Sequence, residues 1–109
     1  MSAHELPAAA QRFIGATNAE DCVGLLAAFA DHGVVDDFGR LFTGHEQIGE
    51  WSDRENIGTH NRITVQRVTR TPGGTLANIT VTGDGYNGGG TFAFGLDTDG
   101  LINILTIRG

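Results

Sequence analysis

The chain has 109 residues, a formal net charge of −6 and one cysteine, Cys22. That length suits a single domain (1–109) that can bury a core without staples, and one cysteine excludes an internal disulfide framework or a cysteine-rich metal site. Lysine is absent and the seven arginines are scattered, which removes Schiff-base chemistry, a phosphate-loop lysine and a basic stripe for nucleic acid.

The two serines, Ser2 and Ser52, lie outside any G-x-S-x-G context. No apolar run approaches the roughly 20 residues of a membrane span. The opening "MSAHELPAAAQRF" has no basic segment followed by an apolar one. The expectation is a cytoplasmic protein with no nucleic-acid or membrane partner, no cofactor and no metal.

Leu6, Ala9, Ala10, Phe13, Ile14 and Thr17 follow helical spacing, with Pro7 suited to a first turn. Asn18 reads as an N-cap for a second helix, whose stripe is Cys22, Leu25, Leu26, Phe29 and Ala30. "DHG" ends it, with Gly33 as a left-handed cap. Residues 34–42, "VVDDFGRLF", read as a short strand or hairpin. "TGHE" is a capping-box pattern for a third helix over 44–55, with Thr43 as N-cap and Glu46 reaching back. Period two then takes over: "HNRITVQRVTR", "GTLANITVTGDG", "TFAFGLD" and "LINILTIRG" read as four strands. This order predicts an α+β fold: three N-terminal helices packed on a curved, mostly antiparallel sheet, leaving a conical apolar cavity.

The segments "LLAAFADHGVVDDFGRLFTGHEQIGEW" and "FAFGLDTDGLINILTI" are similar to the NTF2-like superfamily, in its SnoaL-like and ketosteroid-isomerase-like branch. They span residues 25–51 and 92–107, in the family's order. The resemblance implies a cone-shaped fold, a small hydrophobic ligand and a homodimer formed through the outer sheet face. It places Asp37 where the isomerases keep a carboxylate base. The positions matching their two oxyanion donors, a tyrosine and a protonated aspartate, are Phe13 and Phe92. Losing one such donor costs roughly 10²–10³ in rate, so ketosteroid isomerisation is not expected.

Asp37 and His60 are the candidate catalytic residues, as a base and an assisting imidazole whose tautomer a carboxylate would fix. Asp36, on the opposite side of a regular strand, is expected to face solvent. The candidate ligand-binding residues are Phe13, Trp51, Phe92, Phe94, Leu105 and Ile107. Asn78 or Asn103 is a candidate polar donor for the pocket, Arg54 a candidate partner for a ligand carboxylate, and Tyr86 a rim or subunit contact. His4, His32 and His45 are expected at solvated helix ends or termini. Two functions fit: a pocket protein for a small hydrophobic molecule, or an isomerase-, cyclase- or hydrolase-type enzyme using Asp37 with His60.

Overall fold

The computed structural model describes residues 6–109; His4 lies outside them. In chain order the elements are α1 (Ala8–Asn18), α2 (Cys22–Ala27), β1 (Phe29–Asp37), β2 (Arg40–Thr43), α3 (Gly44–Glu55), a 3₁₀ turn (Ile57–Thr59), β3 (Arg62–Thr71), β4 (Gly74–Thr82), β5 (Gly88–Leu96) and β6 (Ile102–Arg108). The expected α+β class and order hold. Only two helices precede the sheet, however, because α3 follows the β1–β2 hairpin. The strands form one sheet in the order β2-β1-β6-β5-β4-β3. It is antiparallel except where β1 lies parallel to β6. Register shifts interrupt the β1–β6, β3–β4 and β5–β6 pairs, and such bulges bend strands and add twist.

α2 is shorter than its apolar stripe predicts. Phe29 belongs to β1, not to the helix, since the amide of Ile102 donates to the Ala28 carbonyl and Phe29 pairs with Ile102. Sheet pairing at β6 therefore wins over local helical spacing. Gly33 is not a helix cap but a bulge residue in β1, where an added Cβ would sit 2.9 Å from the Ile102 carbonyl oxygen.

The caps also differ from expectation. Asn18 does not cap α2; its side-chain amide exchanges two hydrogen bonds with the backbone of Ile63 and pins α1 to β3. Asp21 caps α2 instead, accepting from the Gly24 amide. Thr43 is the N-cap residue of α3, but its side chain makes no capping bond, and Gln47 rather than Glu46 reaches back to the Thr43 amide. His45 is not free in solvent, because its Nε2 meets the Phe29 carbonyl at 3.0 Å; His32 is exposed.

Alternation along β4 and β5 points Ala77, Ile79, Val81, Phe92 and Phe94 at the helices. Phe13, fully buried on α1, sits at the centre of this core. Its ring meets Phe29, Phe92 and Phe94 edge-on at 5.7, 5.9 and 6.3 Å and stacks on Trp51 at 6.5 Å. Such aromatic pairs contribute about 0.5–1.5 kcal/mol beyond area burial. This cluster couples α1 and α3 to the sheet and forms the base on which the site stands.

Candidate functional site

The site begins at the β1–β2 turn. Phe38 and Gly39 both take positive φ, 53° and 90°, which is the pattern of a two-residue type I′ hairpin turn. The turn sets Asp37 directly opposite Arg40. Along β1, Gly33 and Val35 are buried, so Asp37 shares the core-facing side and Asp36 takes the other. Asp37 thereby emerges from the core at the end of a strand, with its side chain only 13% exposed.

Two donors converge on one oxygen of Asp37. Arg40 Nη2 donates to Oδ2 at 2.6 Å, and Trp51 Nε1 donates to the same atom at 3.1 Å. Arg40 also grips Glu55 with both terminal nitrogens, at 2.9 and 2.6 Å. Its hydrogen bonds to Glu55 push the guanidinium pKa further up, and the same bonds hold the Glu55 carboxyl below the usual carboxylate range. Arg40 thus ties β1, β2 and the end of α3 together. Arg108, which also lines the cavity, makes a two-pronged pair with Asp36, at 3.0 and 3.1 Å. That pairing, reinforced by the Gly39 amide, depresses the Asp36 pKa. Asp36 is therefore a clamped residue rather than a freely solvated one.

Beside this ionic cluster opens a cavity of about 370 Å³. Trp51, Ile79, Val81, Phe92 and Ile107 supply apolar walls, and Gly90, opposite Ile79 on the inner face, adds no side chain there. Asp37, Arg40 and Glu55 stand at its polar side, and the exposed rings of Phe38 and Tyr86 also line it. Asn56 and Asn61 line it too, but they are engaged in structure. Asn56 donates to Thr17, and Asn61 donates to Asn56 and to the Glu55 carbonyl.

The structure brings Asp37, Trp51, Phe92 and Ile107 together around the cavity. Phe13, Phe94 and Leu105 lie in the fully packed core rather than on the cavity wall. His60 stands apart. It adopts a left-handed conformation after the 3₁₀ turn, and its exposed Nδ1 meets Asp84 Oδ2 at 2.8 Å. No Asp37–His60 hydrogen bond forms: His60 pairs with Asp84 and does not line the cavity. Asn78 alternates away from the cavity on β4, Asn103 is exposed at the register shift of β6, and Arg54 is exposed away from the cavity. Tyr86 is a rim residue, with its hydroxyl donating to the Gly89 carbonyl.

Sequence reasoning missed Arg40, Glu55 and Arg108. For Arg40 a signal existed: a two-residue turn at Phe38–Gly39 forces Asp37 opposite Arg40. For Glu55 and Arg108 there was none, since their partners lie 15 and 72 residues away.

The helices, the sheet order and this cavity define an NTF2-like, SnoaL-like and ketosteroid-isomerase-like fold, as the similarity to solved structures shows. A candidate polyketide cyclase from Sinorhizobium meliloti superimposes with a TM-score of 0.85 at 23% identity, covering 99% of this chain and 100% of its own. The Δ5-3-ketosteroid isomerase from a Mycobacterium species gives 0.80 at 23% identity, covering 94% and 90%. A Mycobacterium tuberculosis protein in complex with estradiol-17β-hemisuccinate gives 0.77 at 21% identity, covering 91% and 88%. No protein-family model and no curated protein matches the chain.

Proposed function

We propose that this protein binds a small hydrophobic molecule in the cavity between α3 and the inner face of the sheet, and that it does not isomerise ketosteroids. The cavity carries the reading. Its volume of about 370 Å³ falls within the roughly 300–1,000 Å³ of small-molecule sites, and its apolar walls end at one polar cluster. A structural neighbour in complex with a steroid ester and another that is a steroid isomerase support a ligand of this general kind.

Steroid isomerisation needs donors fixed where negative charge develops. Phe13 and Phe92 supply none, and the Trp51 N–H is committed to Asp37. Asp37 itself is held by a guanidinium and an indole on one oxygen, which opposes its use as a free base. The alternative, an isomerase-, cyclase- or hydrolase-type enzyme with Asp37 as base and His60 assisting, rests on the remaining Asp37 oxygen. It has less support because His60 pairs with Asp84 away from the cavity.

A homodimer through the outer sheet face is part of this proposal. Leu41 and Ile104 are exposed there at 63% and 39%, and a second copy would cover them. A cytoplasmic location also remains a proposal. No helix among the described residues is long and apolar enough to cross a membrane.

Trp51 is the only tryptophan and lines the cavity, so its emission reports occupancy. Titration with estradiol and with flat polyphenolic polyketides should change Trp51 emission saturably. Ligand at 100 times Kd should stabilise the fold by about 2.7 kcal/mol. Val81→Phe, which projects from the inward face of β4 into the cavity, should abolish both effects. If native protein shows neither an emission change nor stabilisation across the panel, the binding reading is wrong.

A further inference from the structure

Both donors at Asp37 converge on Oδ2, from Arg40 at 2.6 Å and Trp51 at 3.1 Å. Among the described residues no hydrogen bond reaches Oδ1. No side-chain polar atom among them is both fully buried and unpaired, so Oδ1 remains open, and Asp37 lines the cavity. The polar side of an apolar chamber therefore presents one unused acceptor that carries negative charge. Neighbouring charges do not reverse this. The guanidinium of Arg40 is divided between Asp37 and Glu55, and Arg108, which also lines the cavity, has its guanidinium bonded to both oxygens of Asp36.

We propose that the ligand of this cavity carries a hydrogen-bond donor head, a hydroxyl or a protonated amine, on an apolar body, and that Asp37 Oδ1 accepts it. The inference rests on the cavity being a binding site. Alcohols and amines share the required chemistry: each places an O–H or N–H on the open oxygen. A ketone offers that oxygen only a second acceptor, and a carboxylate adds like charge. Hydrogen bonds to charged groups are among the stronger ones in proteins, so the head should discriminate clearly between otherwise identical molecules.

The same geometry predicts how the preference can be inverted. Glu55 grips Arg40 with two hydrogen bonds independent of Asp37, so the guanidinium stays in place when residue 37 changes. In Asp37→Asn, Arg40 and Trp51 still donate to the Oδ2 position. The asparagine must turn its carbonyl there and present its NH₂ where Oδ1 was. An acceptor facing the cavity becomes a donor.

The test uses adamantanol, adamantanamine, adamantanone and adamantane carboxylate, which share one apolar body, titrated by calorimetry and Trp51 emission. Native protein should bind the alcohol and the amine roughly ten- to hundredfold more tightly than the ketone and the carboxylate. Asp37→Asn should reverse the order of the amine against the ketone and the carboxylate, while the alcohol, whose hydroxyl also accepts, should bind both proteins. Equal binding of all four to the native protein overturns the donor-head proposal and leaves the cavity reading standing. Binding of none overturns both. Retention of the native ranking in a folded Asp37→Asn protein overturns the assignment to Oδ1. Should that variant fail to fold, the native ranking decides alone.

Discussion

Trp51 Nε1 donates to Asp37 Oδ2 at 3.1 Å, so the chain's only indole holds the carboxylate at the polar side of its cavity. The same indole stacks on Phe13 at 6.5 Å. One side chain thus joins the packed aromatic core to the ionic cluster above it. Replacing Trp51 with Phe keeps a ring on Phe13 and removes the N–H. A hydrogen bond to a charged group is worth about 1.5–3 kcal/mol, and Asp37 keeps Arg40. We expect a loss of about 1–2 kcal/mol in urea denaturation followed by circular dichroism. An unchanged midpoint would mean that this bond does not stabilise the fold.

Arg40→Gln should flatten the acid limb of stability. The Glu55 pKa is held below its ordinary 4.5 chiefly by the hydrogen bonds from Arg40. A depressed folded-state pKa stabilises above the unfolded value, and that contribution is lost as pH falls through the lower folded value. The window therefore lies below 4.5. The Arg40 side chain is 54% exposed, so the effect is small, about 1 kcal/mol or less. Flattening should be partial, because the Asp36–Arg108 pair is left intact and acts in the same direction. Thermal midpoints measured across the acid range for the two proteins check this. Parallel acid limbs would contradict it.

His60 should titrate above its ordinary value of 6.5, first because of its hydrogen bond with Asp84 and then because of the nearby charge of Glu20. A raised folded-state pKa stabilises below the unfolded value, and that contribution is lost as pH climbs through the folded value. The window thus opens at 6.5 and extends upward. In Asp84→Asn the imidazole resonances followed by NMR should titrate closer to 6.5. A midpoint that does not move would remove Asp84 as the cause.

Phe13→Ala should be the most damaging single change considered. The side chain is fully buried and contacts four aromatic rings. Truncating a buried Phe costs about 3–5 kcal/mol. Urea denaturation gives the loss directly. A loss below about 1 kcal/mol would mean that the core closes over the gap.

Much of the architecture was legible in residue order. Helical spacing placed α1 and α3 within two residues of their ends, and period two located β3 to β6, because both patterns report which face is buried. Strand alternation also put Asp37 and Asp36 on opposite faces, as the buried Gly33 and Val35 now confirm. Two of the misreadings share one cause. Phe29 fits a helical stripe, yet pairs with Ile102. Asn18 fits a cap, yet bonds Ile63. In both cases a partner far along the chain outbid a local preference. The site divides in the same way. Asp37, Trp51, Phe92 and Ile107 follow from pattern and resemblance, but which oxygen of Asp37 is occupied depends on Arg40 and Trp51 arriving from β2 and α3. His60 went to Asp84 for the same reason: side-chain pairing is a matter of distance in space, and only the folded chain sets that distance.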